Sequence, residues 1–351
     1  FIPKMISGAC QADVAVLVVP ATTGEFEAGF AMNGQAKEHT VLVRSLGVKQ
    51  ILVAVNKLDA AVPPWSQDRY REMETEIEEF LRKTGFKPKQ IRFVPVSGLT
   101  GINIVDKPPE GCGLNSWYTG PTFFEALDSF NPPQRDIKKP MRLTIADIIP
   151  AGGRAGVCVA GRVVQGRIKV GQRVALMPCG DVGEVRRLER DSRPLQRVEA
   201  GDNCEVTVQG LDPLRVAVGD VVSSATVNGC VPVCRQFQAQ VLTLPNLKVP
   251  IIRGTGFILH TQSLDVPCNV TKLVHTLNKS GEVKKKRPRA IGANMSAVVD
   301  IACPHKGGRW LCIERYEDCR ALGRFVLRQK GITVAAGVVT ALKMAELDSG
   351  T

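Results

Sequence analysis

The amino-acid sequence predicts an α/β domain built on a parallel sheet, followed by two all-β barrels. Over the first third of the 351 residues, apolar runs alternate with amphipathic segments of helical period, as expected when helices connect the strands of a parallel sheet. Beyond residue 140, short alternating segments separated by glycines are typical of small antiparallel barrels. We therefore place the α/β domain at residues 1–131, a linker at 132–140, and the barrels at 141–230 and 231–346.

Three apolar runs predict the strands of the first domain. Val14–Val19, Ile51–Val55 and Ile91–Val96 consist mostly of apolar residues. Continuous rather than alternating apolarity is expected of strands that are buried on both faces, as in a parallel sheet. We therefore expect all three strands to be covered on both sides.

Helices are predicted between and after these strands. Residues 33–47 and 67–84 each end at or next to a glycine, and the second segment carries one continuous apolar stripe. A further helix follows Thr122, which forms a capping-box pattern with Glu125.

The first residues also have a helical pattern. Apolar side chains recur at helical spacing at Phe1, Ile2, Met5 and Ile6, and Gly8 is the predicted stop. No residue precedes this helix to cap its free N–H groups, and three strands are few for a parallel sheet. On these grounds we expect the chain to be a fragment that lacks the start of its first domain.

The net charge of +12 is concentrated in the last third of the chain. Residues 1–130 contain 13 basic and 15 acidic residues, whereas residues 231–351 contain 18 basic and 8 acidic residues. A basic third suits a polyanion such as RNA, although such a charge can also serve solubility alone. Both interpretations stay open at this point.

The densest basic run lies at residues 284–289 (KKKRPR). It can be a solvated hairpin, a contact to RNA phosphates or a nuclear-targeting signal. The candidate RNA contacts are Lys284, Lys285, Lys286, Arg287 and Arg289.

The cysteines indicate a reducing compartment. There are eleven, an odd number without a C-x-x-C pair, so the sequence predicts neither a disulfide framework nor a zinc ribbon. No apolar run approaches the roughly 20 residues of a transmembrane helix. We expect a cytoplasmic location, no membrane association and no metal site.

Two polar loops follow neighbouring predicted strands, and together they predict a guanine site. Residues 56–59 (Asn-Lys-Leu-Asp) follow the second strand, and residues 97–99 (Ser-Gly-Leu) follow the third. In open α/β sheets, ligands bind beyond the carboxyl ends of the strands. The Asp59 carboxylate can accept hydrogen bonds from the ring N1–H and the 2-amino group of guanine. Adenine lacks these donors and would leave a buried carboxylate unpaired.

The other residues of these loops complete the predicted site. Asn56 can hydrogen-bond the base edge and neighbouring loops, and the stem of Lys57 can lie on the base while its ammonium stays solvated. Ser97, Gly98 and Leu99 would supply a backbone N–H to the guanine oxygen. The four-residue motif alone is weak, because Asn and Asp are common in loops. Its place after a buried strand, with a Ser-Gly loop after the next, favours guanine binding.

The phosphate side of a nucleotide site is absent from the sequence. A P-loop requires G-x-x-x-x-G-K-[ST], and no Gly-Lys dipeptide occurs in the chain. No other hydrolase signature is present. We therefore assign no catalytic residue within these 351 residues.

Several segments resemble the translational GTPases of the elongation factor one-alpha type. They lie in all three predicted domains, at residues 24–30 (GEFEAGF), 34–35 (GQ), 38–39 (EH), 56–59 (NKLD), 139–143 (KPMRL), 161–163 (GRV), 322–328 (LGRFVLR) and 334–339 (VAAGVV). Three further segments are similar to the ribosome-rescue branch of that family, whose members act with Pelota. These are residues 42–48 (LVRSLGV), 97–101 (SGLTG) and 277–283 (LNKSGEV).

The resemblance implies a partial P-loop-type GTP-binding domain, because the family's P-loop and switch regions precede the segment that begins at Phe1. It implies GTP or GDP as the ligand, with Mg²⁺ expected only together with that preceding part. It also implies a Pelota-type release-factor-like protein and the ribosome, with its rRNA, as partners. Outside that complex the protein would be a monomer.

The implied function is GTP hydrolysis by the intact protein during rescue of stalled ribosomes and surveillance of the mRNAs on them. Residues 1–351 alone are expected not to hydrolyse GTP and to bind guanine weakly. Two alternatives stay open. One is a release-factor or tRNA-delivering GTPase, and the other is a non-catalytic ribosome-binding module if the chain is naturally this short.

Overall fold

The computed structural model describes residues 2–31, 34–150, 156–226, 229–278, 280–303 and 310–343. The chain divides into two compact units. Residues 12–133 form the α/β unit, and residues 1–11 together with residues 134–351 form the barrel unit.

The α/β unit contains a parallel sheet of three strands among the described residues. In spatial order these are β1 (Val14–Pro20), β2 (Gln50–Asn56) and β3 (Ile91–Pro95). β2 pairs with both neighbours in parallel register. The predicted parallel sheet is confirmed, and each strand agrees with its predicted range to within one residue at either end.

Five α-helices are described. They are α1 (Ile2–Gln11), α2 (Glu25–Gly29), α3 (Gln35–Leu46), α4 (Gln67–Lys83) and α5 (Phe123–Asp128). The sequence predicted four of them and missed α2, because five residues are too few to display a helical period. α1 belongs to the barrel unit and the other four belong to the α/β unit.

Local hydrogen bonds explain where α4 and α5 begin. The Ser66 hydroxyl accepts a hydrogen bond from the Arg69 backbone N–H at 3.2 Å. At α5, Thr122 and Glu125 form the predicted capping box, with reciprocal hydrogen bonds of 3.3 and 2.8 Å. Both caps satisfy N–H groups that a helix start otherwise leaves without partners. Gly85 follows α4 with φ +100°, a left-handed conformation that favours glycine.

The prediction that Gly8 ends the first helix is wrong, since α1 continues to Gln11. A glycine inside a helix costs only about 1 kcal/mol relative to alanine, so contacts elsewhere can maintain the helix. One such contact joins the hydroxyls of Ser7 and Ser263 at 2.8 Å, within the barrel unit.

The predicted burial of β1 on both faces is also wrong. Val16 and Val18 on β1 are 40% and 58% exposed, whereas Val53 and Val55 on β2 are fully buried. In the described sheet β1 is an edge strand, and its other face packs on the core beneath α4. An apolar run shows that a strand can be buried. The position of that strand in the sheet determines whether one or both of its faces are covered.

The first barrel follows the linker, and its described residues form nine strands. They are β4 (Arg142–Ile149), β5 (Val157–Gln165), β6 (Arg167–Lys169), β7 (Arg173–Met177), β8 (Asp181–Arg190), β9 (Arg193–Leu195), β10 (Arg197–Glu199), β11 (Asn203–Gln209) and β12 (Val221–Ser224). Six of them close into a ring in the order β11-β5-β4-β12-β7-β8, because β8 also pairs with β11.

The second barrel also contains nine described strands. They are β13 (Val233–Cys234), β14 (Gln236–Thr243), β15 (Gly256–Thr261), β16 (Leu264–Leu277), β17 (Val283–Lys286), β18 (Ser296–Ala302), β19 (Leu311–Cys312), β20 (Arg324–Gln329) and β21 (Ile332–Lys343). Its ring is β15-β20-β21-β14-β18-β16, closed by the pairing of β15 with β16. β17 lies outside the ring, on β16 alone.

A buried ion pair joins the two barrels within the barrel unit. The guanidinium of Arg142 donates to the Glu314 carboxylate at 2.8 Å, and both side chains are more than nine-tenths buried. Arg142 also donates to the Met141 carbonyl at 3.0 Å and to the Gly229 carbonyl. A buried charge is tolerated when it is both paired and hydrogen-bonded. None of the described helices is long and apolar enough to cross a membrane.

Candidate functional site

The two loops predicted to read guanine begin at the same edge of the sheet. β2 and β3 run parallel, with Val55 opposite Pro95, so their carboxyl ends lie side by side. Residues 56–59 leave β2 through a short 3-10 turn, Leu58–Ala60. Residues 97–99 follow the carboxyl end of β3, which lies next to the carboxyl end of β2.

Asn56 connects the two loops. Its side-chain Oδ1 accepts a hydrogen bond from the Gly98 backbone N–H at 2.8 Å and another from the Lys57 backbone N–H at 2.8 Å. A Cβ at position 98 would lie 3.4 Å from both terminal atoms of the Asn56 amide. That distance is an ordinary van der Waals contact, so the hydrogen bond to Asn56, rather than the lack of a side chain at Gly98, holds the two loops together.

Lys57 is held by a partner that the sequence did not identify. Its ammonium donates to Glu25 Oε2 at 2.7 Å, on the surface of the α/β unit. This hydrogen bond, with a smaller contribution from the Thr22 hydroxyl, lowers the pKa of Glu25 below its ordinary value. Glu25 begins α2, in the segment that resembles the elongation factors. Its role could not be found from sequence, because 32 residues separate it from Lys57.

Arg69 fixes the segment around α2 to α4. Its guanidinium donates to the Ala21 carbonyl at 3.0 Å, to Glu27 at 2.7 Å and to Glu72 at 2.8 Å. The first of these bonds holds the end of β1, and the second holds the helix that carries Glu25. Arg69 therefore positions the segment that holds Lys57.

Asp59 carries a carboxylate oxygen that no described residue satisfies. Its Oδ1 is buried and has no hydrogen-bond partner among the described residues. A buried acceptor without a donor costs about 1–3 kcal/mol. Such an atom in a loop at the carboxyl edge of a parallel sheet is suited to accept hydrogen bonds from a ligand.

The second loop presents one backbone donor. The Ser97 N–H donates to the Ile102 carbonyl at 3.2 Å, and the Gly98 N–H donates to Asn56. The Leu99 N–H has no acceptor within the described part of the chain, and its side chain is 94% exposed. Ser97 is buried and its hydroxyl accepts from the Thr100 N–H at 3.3 Å, which closes the loop.

The edge thus holds a carboxylate oxygen of Asp59 that no described residue satisfies, and the backbone N–H of Leu99 that has no acceptor among the described residues. A ring that carries N–H donors beside a carbonyl oxygen complements this pair, and guanine has that arrangement. Adenine has an unprotonated N1 where guanine has N1–H, so it would leave the carboxylate without a donor.

The basic run at residues 284–289 lies on the second barrel. Lys284, Lys285 and Lys286 belong to β17, and Arg287 and Arg289 follow it; all five side chains are exposed. Across the described ranges, no group of three or more His, Cys, Asp or Glu side chains could hold a metal ion.

Three family models match the chain in sequence order. The elongation factor Tu GTP binding domain matches residues 1–133, the elongation factor Tu domain 2 matches residues 156–223, and the GTP-eEF1A C-terminal domain-like family matches residues 236–340.

Individual relatives match nearly the whole of this chain. Protein HBS1 of Drosophila melanogaster is 44% identical over 344 residues, covering 98% of this chain and 50% of that protein. Elongation factor 1-alpha of the archaeon Hyperthermus butylicus is 37% identical over 350 residues, covering 99% of this chain and 77% of that protein. The chain thus spans about half the length of the first relative and about three quarters of the second.

Solved structures share the fold. The crystal structure of Sup35 complexed with GDP is 32% identical, with a TM-score of 0.54 over 97% of this chain and 81% of that one. The GTPase-like domain of Ski7 from Saccharomyces cerevisiae, bound to GTP, has a TM-score of 0.73 over 97% of this chain and 75% of that one. Its identity is 19%, so this likeness concerns the fold alone.

Proposed function

Because the chain belongs to the translational GTPases of the elongation factor 1-alpha type, we propose that residues 56–59 and 97–99 hold the guanine base of GTP. The observation that carries this proposal is the buried Asp59 Oδ1, which has no donor among the described residues and lies in a loop that Asn56 ties to the next one. The contacts from Asp59 and the Leu99 N–H select guanine over adenine. Lys57 covers the base with its stem while Glu25 holds its ammonium.

The reaction proposed for the intact protein is hydrolysis of GTP. The residues of this chain bind and select the base, and they take no direct part in the attack on the phosphate. Contacts to the phosphates require a P-loop, which this sequence does not contain. Residues 1–351 alone are therefore expected to bind guanine nucleotides weakly and to leave GTP intact.

The proposed setting is rescue of stalled ribosomes in the cytoplasm, together with a Pelota-type protein. Residues 42–48, 97–101 and 277–283 resemble the rescue branch of the family. The 44% identity to Protein HBS1 supports the same assignment. Outside its complex the protein would be a monomer.

Two measurements on the intact natural protein test this function. The first compares binding of GTP, GDP and ATP, and we expect only the guanine nucleotides to bind tightly. The second offers a Pelota-type protein, a class-one release factor and aminoacyl-tRNA separately, with GTP or with GDP. We expect capture of the Pelota-type protein with GTP. Capture of the class-one release factor or of aminoacyl-tRNA would assign the factor to another branch of its family. Equal binding of ATP would contradict the proposal that the site selects guanine.

A further inference from the structure

A long loop of the α/β unit follows the second of the two guanine loops, residues 56–59 and 97–99. Residues 104–122, all of them described, contain neither an α-helix nor a strand, only a short 3-10 turn at Gly113–Ser116. Loops of this length are uncommon in compact domains and often serve a function. We call this segment the 104–122 loop.

Both ends of the 104–122 loop lie beside the second guanine loop. The Ile104 N–H donates to the Gly101 carbonyl at 3.3 Å where the loop begins. The Phe123 N–H donates to the Asn103 carbonyl at 3.0 Å just after the loop ends. The chain therefore leaves the second guanine loop and returns to it.

The middle of the 104–122 loop is connected to the turn that carries Asp59. The Trp117 indole N–H donates to the Trp65 carbonyl at 2.8 Å, although the two residues are 52 positions apart. The Trp65 backbone N–H donates in turn to the Leu58 carbonyl at 2.8 Å. Leu58 is fully buried and directly precedes Asp59. Two hydrogen bonds thus link the Trp117 indole to the residue beside the carboxylate.

Trp65 has a backbone conformation that depends on such contacts. Its φ of +57° lies in the left-handed region, which is unfavourable for a bulky side chain and persists only where the surrounding structure fixes it. Its N–H is bonded towards Leu58 and its carbonyl towards Trp117. Loss of the indole donor would leave the carbonyl side of Trp65 without this restraint.

Packing explains the ring of Trp117 but not its hydrogen bond. The ring lies 5.2 Å from that of Tyr70, centroid to centroid, and is partly buried against the core that contains Leu58. A phenylalanine ring would make most of these contacts. The indole N–H is a donor only, and here it is directed at a single carbonyl, that of Trp65.

We propose that Trp117 is a positioning residue for guanine selection, because its hydrogen bond to Trp65 holds the turn from which Asp59 contacts the base. Hydrogen bonds weaken steeply as their angle departs from linearity, so a small rotation of this turn would weaken the bonds that guanine donates to the carboxylate. This role rests on the proposed function. It assigns part of the selection to a residue that does not touch the base.

The test compares binding of GDP and inosine diphosphate to the intact natural protein by calorimetry. Inosine lacks the 2-amino group of guanine, so the ratio of the two affinities reports the bond between that group and Asp59. Trp117→Phe keeps an aromatic ring and removes the donor. Tyr118→Phe is the matched control, since it removes a donor from the next ring of the same loop. The Tyr118 hydroxyl donates to the Pro121 carbonyl at 2.7 Å and interacts with the Asn103 side chain, neither of which belongs to the turn of Asp59.

We expect the unmodified protein to prefer GDP by roughly 10- to 100-fold, as for one hydrogen bond to a charged group, and Trp117→Phe to reduce this preference at least about threefold. Tyr118→Phe should retain the preference. An unchanged preference in Trp117→Phe would overturn the inference, and so would an equal reduction in both variants, because general loosening of the loop would then explain it. Equal binding of GDP and inosine diphosphate by the unmodified protein would instead contradict the proposed contact of Asp59, and the inference would fail with it.

A second measurement needs no variant and therefore does not depend on how Trp117→Phe folds. Coupling between two sites is reciprocal, so bound GDP should slow hydrogen exchange of the Trp117 indole N–H at least about threefold. The Trp310 indole, which lies over Arg235 in the barrel unit, should be unaffected. NMR of the indole N–H resonances measures both. Protection of neither indole, or equal protection of the two, would overturn the inference.

Discussion

At the scale of single residues, the site depends on Asn56, for which the sequence predicts hydrogen bonds to the base edge and to neighbouring loops. The position of residues 56–59 after a buried strand was predictable, because hydrophobic runs and polar loops are local patterns. The use of Asn56 Oδ1 to hold the Gly98 N–H was not predictable in detail, since it depends on the spacing of two parallel strands. The pairing of Lys57 with Glu25 was missed for the same reason.

Removal of the Asn56 amide should separate the two loops. Asn56→Ala leaves the Gly98 N–H without its acceptor, and we expect a loss of about 1–3 kcal/mol in the free energy of unfolding. Amide hydrogen exchange at Gly98 should accelerate. Asn115→Ala is the control, since Asn115 is exposed and bonds only to carbonyls of its own loop. Unchanged exchange at Gly98 in Asn56→Ala would show that this bond does not hold the loops.

The cysteines give a prediction that depends on pH. Burial raises the pKa of Cys204 and Cys234 from 9.0 to about 12. Folding thus favours the protonated thiols, and the stability they contribute is present below pH 9 and is lost as the pH rises towards 12. At pH 8 these thiols should resist iodoacetamide in the native protein, while the exposed Cys230 reacts first. Mass spectrometry of the labelled peptides checks this order, and rapid labelling of Cys234 without denaturant would contradict it.

At the scale of secondary structure, elements with strong local sequence signals were predictable. Features that depend on tertiary contacts or on position in the sheet were not. α4 has a side-chain cap at its start, a continuous apolar stripe and a glycine just beyond its end, and it forms as predicted. α2 is too short to show periodicity, and Gly8 was mistaken for a stop because tertiary contacts outweigh its low helix propensity. The exposure of Val16 and Val18 depends on the position of β1 in the sheet, which an apolar run does not reveal.

The cap of α4 can be tested by one substitution. Ser66→Ala removes the oxygen that accepts the Arg69 N–H, and we expect the free energy of unfolding of the α/β unit to fall by about 1 kcal/mol. Thr75→Ala is the control, because Thr75 lies inside the same helix and its hydroxyl only donates back to the Arg71 carbonyl. Urea unfolding followed by circular dichroism compares the two. Equal effects would show that the hydroxyl of Ser66 does not act as a cap.

At the scale of the whole molecule, the order of the α/β domain and the two barrels was predictable, but the strand pairings that close each barrel were not. The spacing of apolar residues changes from helical period to alternation after the first domain, which predicts two barrels. Turns rich in glycine indicate where their strands end. Which strands close each ring, and which residues join the barrels, depend on contacts far apart in sequence. Arg142 and Glu314 are 172 residues apart and have no local pattern that connects them.

The ion pair between Arg142 and Glu314 should be costly to break from one side. Arg142→Met leaves a buried carboxylate without its partner, and we expect a loss of about 3–5 kcal/mol in the free energy of unfolding. Arg142→Met/Glu314→Leu should recover part of that loss. Arg315→Met removes two exposed ion pairs, with Glu317 and Asp318, and should cost less than about 1 kcal/mol. Denaturant titration measures the free energy of unfolding of all three variants. A loss for Arg142→Met as small as that for Arg315→Met would show that the buried ion pair does not stabilise the contact between the barrels.

The proposed selection of guanine by Asp59 can be tested by exchanging one atom of that side chain. Asp59→Asn presents an amide N–H where guanine carries its 2-amino donor, whereas xanthine carries an oxygen acceptor there. Asp68→Asn, an exposed position on α4, is the matched control. The measurement is calorimetric binding of GDP and xanthosine diphosphate to the intact natural protein and both variants.

We expect Asp59→Asn to weaken GDP binding by roughly 100-fold or more and to bind xanthosine diphosphate in its place, while Asp68→Asn keeps the original preference. Undiminished GDP binding by Asp59→Asn, with no gain for xanthosine diphosphate, would show that Asp59 does not select the base.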